Sequence, residues 1–169
     1  MSNVPNFNQI VQYFETLASE HVELKHTDGE KHFYRFELDE VLTGMPGEIN
    51  YPALILEGYR FDFSDRRSDN PMKRRSGAFI LVSNISDPGD YDLIHNTWDE
   101  LEVIADDILA RIAADKRLPS SPVRAFDLDS VEGTLVATEF GNLYGLRITF
   151  ALSSPFPTNV NPSKWISNE

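Results

Sequence analysis

The sequence predicts an α+β protein, in which a mixed or antiparallel sheet of about five or six strands carries an N-terminal helix and one long helix on one face. Two segments place apolar residues at helical spacing, and several others alternate apolar and polar residues as strands do. The strand-like segments lie on both sides of the longer helix. We therefore expect a single domain over residues 1–155, followed by an extended, proline-rich tail over residues 156–169.

The first helix is predicted from an apolar stripe that starts shortly after Pro5, with Asn6 as its N-cap. Spacings of three and four residues put the stripe on one side of the helix: Phe7, Ile10, Val11, Phe14, Leu17 and Ala18. A strand is expected over residues 34–38, where apolar and charged residues alternate.

A second strand is expected over residues 53–63, with Gly58 as a candidate for a bulge. Its inward-facing candidates include Ile55, Tyr59, Phe61 and Phe63. Residues 64–76 hold no large apolar side chain except Met72 and are predicted to form a loop. The nearly all-apolar run over residues 78–82 then predicts a central strand that is covered on both faces.

The predicted loop is strongly basic. Five of the fifteen Lys and Arg residues of the chain fall within it: Arg66, Arg67, Lys73, Arg74 and Arg75. The loop is either a solvated hairpin extension, an arm that docks on an acidic surface, or a contact for nucleic acid. Because the chain carries a formal net charge of −12, the nearest acidic surface is another copy of itself. These five residues are therefore the candidate partner-binding residues.

The long helix is predicted to start after Asp90 and to end before Pro119. Its apolar stripe comprises Tyr91, Ile94, Trp98, Leu101, Ala105, Ile108 and Ile112. The opposite side is acidic and includes Glu100, Glu102, Asp106 and Asp107. Three further strands are expected over residues 123–128, 131–138 and 143–152.

Composition excludes several functional classes. The chain has no cysteine, which rules out a thiol nucleophile, a disulfide framework and a thiolate metal site. No apolar run approaches the roughly 20 residues of a membrane span, and residues 1–10 do not read as a signal peptide. We therefore expect a soluble protein of the cytoplasm that does not bind membranes. The acidic balance disfavours binding to nucleic acid.

No pattern in the sequence predicts a catalytic centre. The histidines His21, His26 and His32 lie in a helix end, a turn and a strand start, so their spacing does not match a metal site. His95 has no evident partner, and Asp127 and Asp129 are expected to cap or solvate a turn. Phosphate-binding glycine loops and a G-x-S-x-G elbow are absent from the sequence. We expect a protein without enzymatic activity, metal or cofactor.

The order of elements resembles that of tail-terminator and tail-completion (neck) proteins of long-tailed bacteriophages. The segments that resemble them are residues 7–17, the strand–loop–strand of residues 53–82, the helix of residues 91–114 and the sequence YGLRITFAL at residues 144–152. The resemblance implies a non-enzymatic protein that forms a ring, usually of six copies, at the head–tail junction. It further implies contacts with the tail tube and the head connector, and a location in the host cytoplasm or the virion.

Two alternatives remain open at the level of sequence. The first is a non-enzymatic α+β module that binds a small ligand or a partner, because the eleven Phe and six Tyr residues could line a pocket. The second is an enzyme with an unusual site built from His21, His26 or the Asp127 and Asp129 pair. A self-associating protein in solution would favour the ring over both alternatives.

Overall fold

The computed structural model describes residues 5–35, 49–65, 70–137 and 142–166. Two α-helices and six strands form within these ranges, together with one short 3₁₀ turn near the C-terminus. In chain order they are α1 (Phe7–Glu20), β1 (Phe33–Tyr34), β2 (Ala53–Leu56), β3 (Arg60–Ser64), β4 (Met72–Asn84), α2 (Tyr91–Asp115), β5 (Phe126–Ala137), β6 (Leu143–Pro155) and the 3₁₀ turn (Pro162–Lys164).

The strands form one mixed sheet in the order β1-β2-β4-β6-β5, with β3 also paired to β4. β1 and β2 run parallel, and all other pairs are antiparallel. β2 pairs with the second half of β4 and β3 with its first half, so β2 and β3 lie end to end along one side of β4. The α+β class, the mixed six-stranded sheet and the two helices confirm the predicted fold class.

α1 begins as the sequence predicts. The Asn6 side chain accepts a hydrogen bond from the Gln9 backbone at 2.9 Å, and the Gln9 side chain accepts one from the Asn6 backbone at the same distance. The stripe is buried from Ile10 onward, whereas Phe7 is half-exposed and its ring contacts Tyr59. The local sequence therefore fixes both the start of this helix and the face that it buries.

α2 also follows its predicted stripe, with two exceptions. Asp90 caps the helix by accepting a hydrogen bond from the Leu93 backbone at 3.0 Å. Tyr91 is 73% exposed, so its prediction as a core residue is wrong: it occupies the first turn, where nothing of the core covers it. Trp98 is half-buried, and its ring contacts Tyr144 and His95.

The main core lies between the two helices and one face of the sheet, which we call the helix face. Phe14 of α1 is fully buried there, and its ring centroid lies 5.5 Å from those of Phe79 and Phe150. Phe126 stacks on Phe150 from the other side at 5.8 Å. These rings fix the position of α1 over the centre of the sheet, since large aromatic side chains dominate the energetics of a core.

The other face of the sheet, the second face, carries a smaller core cluster: Tyr34, Ala53, Ile55, Ile80 and Val82. Partly buried side chains, Ile49 and Tyr51 among them, pack against it. All residues from Ala78 to Val82 are at most 2% exposed. The prediction that this strand is central and covered on both faces is confirmed.

Polar contacts join the C-terminal end of α2 to α1. Tyr13 of α1 donates a hydrogen bond to Asp115 of α2 at 2.9 Å. Arg111 forms ion pairs with Asp115 at 3.0 Å and with Glu20 of α1 at 3.2 Å. The Asp115 carboxylate raises the pKa of Arg111 by accepting its hydrogen bond.

Three predicted boundaries are wrong. The two strands predicted over residues 123–128 and 131–138 form one strand, β5. Its register with β6 shifts between Asp127 and Glu132, but β5 pairs with β6 on both sides of this irregularity. The connection after β3 ends at Met72 instead of residue 76, since residues 72–76 belong to β4. The single strand predicted over residues 53–63 is two strands, β2 and β3, separated by residues 57–59. Residues 36–38 of the strand predicted over residues 34–38 lie outside the described ranges.

The C-terminal tail is mostly irregular, as expected for an extended segment, but it contains the 3₁₀ turn Pro162–Lys164. Asn161 caps this turn, and Trp165 and Ile166 beyond it are 71% and 93% exposed. None of the helices described here is both long and apolar enough to cross a membrane.

Candidate functional site

β3 pairs with the first half of β4, and we call this strand pair, residues 60–64 and 72–76, the ribbon. β6 pairs with the other side of β4 along the same stretch, from Met72 opposite Pro155 to Ser76 opposite Ala151. The pairing of β3 with β4 runs from Arg60 opposite Ser76 to Ser64 opposite Met72, and every residue of β3 is exposed.

Phe61 and Phe63 were predicted to face inward, yet they are 55% and 50% exposed. The predicted alternation does not run through from Ile55, because Ile55 lies on the second face whereas Phe61 and Phe63 lie on the helix face beyond the break between β2 and β3. The ribbon also extends beyond the part of the sheet that the helices cover.

The helix face of the ribbon carries an aromatic patch: Phe61, Phe63, Phe156 and Lys73. The Phe63 ring lies 5.8 Å from that of Phe61 and 4.9 Å from that of Phe156. Lys73 Nζ lies 3.8 Å from the centroid of Phe61 and 5.5 Å from that of Phe63, a cation–π geometry. The patch therefore combines exposed apolar rings with one positive charge.

The five cations predicted to bind a partner do not share one surface. Arg66 and Arg67 lie outside the described residues. Strand alternation puts Lys73 on the helix face and Arg74 on the second face. Arg75 is only 7% exposed and donates a hydrogen bond to Ser154 Oγ at 3.3 Å, while its Nε has no partner among the described residues. Arg75 therefore lies buried in β4 and not in the loop that the sequence predicted.

The second face of the ribbon borders an open cavity of about 500 Å³. Its floor contains small residues such as Ser76 and Ala78, and its charged lining residues are Glu57, Arg60, Arg74, Glu132 and Arg147. Arg147 binds Glu57 with Nη2 at 2.6 Å and Nε at 3.2 Å from the carboxylate. Glu57 is paired with Arg147. Around the rest of the cavity the two positive charges of Arg60 and Arg74 therefore exceed the single negative charge of Glu132.

The three N-terminal histidines do not converge on one point. His21 lies 3.6 Å from Asp107, and His26 lies 3.7 Å from Glu15. His32 is buried, and its Nδ1 is 2.7 Å from the Pro52 carbonyl oxygen. Within the described ranges, no group of three His, Asp or Glu side chains could hold a metal ion.

Asp127 and Asp129 lie at the β5 irregularity, and Asp127 Oδ1 accepts a hydrogen bond from the Asp129 backbone at 3.2 Å. Ser130 Oγ completes this structure by donating to the Asp127 carbonyl and accepting from the Ala151 backbone. The Asp127 carboxylate thus caps the backbone at this irregularity. His95 is exposed, and its ring stacks on that of Trp98.

The outward side of α2 is acidic, as the sequence predicts, but it also carries an exposed apolar residue that the sequence analysis did not single out. Val103 is 63% exposed, and the residues three and four positions away on both sides are all exposed carboxylates: Asp99, Glu100, Asp106 and Asp107. Residues at these spacings are neighbours on a helix surface. The sequence did contain a signal for this surface: Val103 is an apolar residue that lies outside the buried stripe and between acidic residues. We call this surface the acidic face.

No protein-family model matches the chain, and no curated protein was found to be similar to it. Its function is therefore inferred from the two surfaces described above and from the cavity.

Proposed function

We propose that the protein is a non-enzymatic structural protein that assembles with copies of itself into a ring. The resemblance to phage tail-terminator and tail-completion proteins suggests that the ring lies at the head–tail junction. There it would contact the tail tube and the head connector, in the host cytoplasm during assembly and in the virion afterwards. The proposal includes the absence of catalysis, metal and cofactor.

The observation that carries this proposal is the exposed aromatic patch on the ribbon. Exposed phenylalanine rings that contact each other are unusual on a protein surface unless a partner covers them. Here they sit beside a cation, Lys73, on a chain with a formal net charge of −12. A second copy supplies the acidic partner that this surface fits, because complementary charge steers association and fixes its orientation.

The experiment that tests the proposal is a measurement of mass in solution, by light scattering after size exclusion, at low and high protein concentration. We expect an oligomer that weakens when salt rises from 0.1 M to 1 M, as the screening length falls from about 10 Å to about 3 Å. The double variant Phe61→Ser, Phe63→Ser should be a folded monomer. A wild-type chain that stays monomeric at every concentration, even with purified tail tubes, would overturn the proposal.

A second candidate function is supported by the cavity on the second face. Its three arginines and two glutamates suit a small ligand that carries both charges, such as an amino acid or a peptide end. Titration calorimetry with such ligands tests this candidate, and Arg60→Ala and Arg74→Ala should abolish the heat of binding. Binding without self-association would favour the module over the ring.

A further inference from the structure

The acidic face of α2 points away from the molecule's own sheet. On the opposite side of the same helix, Leu101, Ile104 and Ile108 are at most 5% exposed and belong to the main core. Val103 and its surrounding carboxylates therefore cannot reach the ribbon of their own chain. Any contact between these two surfaces requires two copies.

The two surfaces are complementary in both charge and polarity. The acidic face has an apolar centre, Val103, with a carboxylate on each of its four helical neighbours. The aromatic patch has three exposed rings and one cation, Lys73, and contributes no carboxylate. Asp107 lies 3.6 Å from His21, whereas Asp99, Glu100 and Asp106 are exposed positions with no ion pair to another described residue.

We propose that the acidic face of α2 in one copy docks on the aromatic patch of the next copy. Val103 then packs between the phenylalanine rings, and Lys73 lies among the carboxylates that flank it. This inference rests on the proposed self-assembly and specifies which surfaces meet. Because the two surfaces differ, the contact is head-to-tail, and repetition of such a contact closes into a ring or extends into a filament.

The first test removes each surface separately. Val103→Asp damages the acidic face, and Phe63→Asp damages the aromatic patch. Each change should weaken association by about 10- to 100-fold, as loss of a central interface residue does. The matched control is Leu118→Asp, because Leu118 is 54% exposed and lies beyond the C-terminal end of α2. This control should associate as the wild type does, and far-ultraviolet circular dichroism should show all three variants folded.

The second test mixes the two damaged variants. Each should be monomeric alone, yet together they should form a 1:1 dimer, since the Val103→Asp copy retains its patch and the Phe63→Asp copy retains its acidic face. A contact between identical surfaces predicts no such dimer. If Phe63→Asp fails to fold, a charge exchange replaces it. Lys73→Glu alone and Asp106→Lys alone should each weaken association. The chain that carries both changes should associate again.

Three results are distinguishable. Monomeric single variants that dimerise when mixed support the inference. A wild-type oligomer that Val103→Asp leaves intact overturns the inference while the proposed self-assembly stands. A wild-type chain that is monomeric in every condition overturns the self-assembly and this inference with it.

Discussion

Arg147 of β6 reaches across β4 and binds Glu57 at the break between β2 and β3. Arg147 Nη2 lies 2.6 Å from the carboxylate, and Nε makes a second contact, so the guanidinium holds Glu57 in a fork. Glu57 is nearly buried, with 11% of its side chain exposed. The pair therefore fixes the point at which the ribbon joins the main sheet.

We expect Glu57→Gln to lower the free energy of unfolding by about 1–2 kcal/mol, because it weakens charge-assisted hydrogen bonds at a nearly buried site. Urea unfolding measures the loss. Glu23→Gln is the matched control, since Glu23 is exposed in the turn after α1. Equal stability of the two variants would mean that solvent screens the Arg147 pair completely.

The hydrogen bond from Tyr13 to Asp115 predicts a pH dependence. Burial, together with this bond, raises the pKa of Tyr13 well above its usual value. In the unfolded chain Tyr13 ionises near pH 10, so above that pH the unfolded state binds fewer protons and the folded state loses stability. Below pH 10 we expect Tyr13→Phe to cost about 1 kcal/mol.

The difference in stability between wild type and Tyr13→Phe should therefore shrink as pH rises from 9 through the alkaline range. Urea midpoints at several pH values measure it, and Tyr91→Phe is the control because Tyr91 is 73% exposed. A difference that does not change with pH would show that Tyr13 ionises alike in both states.

Gly145 in β6 has no room for a side chain. An added Cβ would lie 2.6 Å from the Leu81 carbonyl oxygen and 2.9 Å from Val82 Cγ1. We expect Gly145→Ala to destabilise the protein by about 1–3 kcal/mol, since the strands must shift. Gly133→Ala is the control, because its Cβ would meet only Leu146 Cδ1 at 3.7 Å. Thermal unfolding of both variants compares them directly.

Arg75 is a buried cation whose Nε has no hydrogen-bond partner in the part of the chain that the structure describes. Replacement of a poorly compensated buried charge by an apolar side chain of similar length is often neutral or stabilising. We expect Arg75→Met to leave the free energy of unfolding unchanged or to raise it by about 1 kcal/mol. A loss greater than about 2 kcal/mol would show that the charge is compensated in the folded state.

Much of the fold follows from local sequence. The Asn6 and Asp90 caps and the apolar periodicity were enough to predict both helices. The alternation in residues 143–152 predicted most of β6, since one of its faces is buried against the core. Periodicity succeeds where a segment lies against the main core, because burial there selects residue type.

The ribbon was harder to predict. Residues 73–76 are Lys, Arg, Arg and Ser, so they lack the apolar alternation that identifies a strand, and they were assigned to a loop. Cross-strand pairs such as Phe63 with Lys73 hold them in the sheet instead. The exposure of Phe61 could not be predicted either, because sequence does not show where the helical cover ends.

β4 continues from the core into the ribbon without a break over 13 residues, roughly 40 Å of chain. The second half of β4 is buried on both faces of the sheet. Because the strand is continuous, the direction of the ribbon is set by the packing of the core and not by a flexible hinge. Copies linked, as proposed, through this part of the sheet would meet at one fixed angle. The number of copies that completes a circle would then be dictated by the bend between neighbours, and a change in contact strength would alter how often rings form without altering their size.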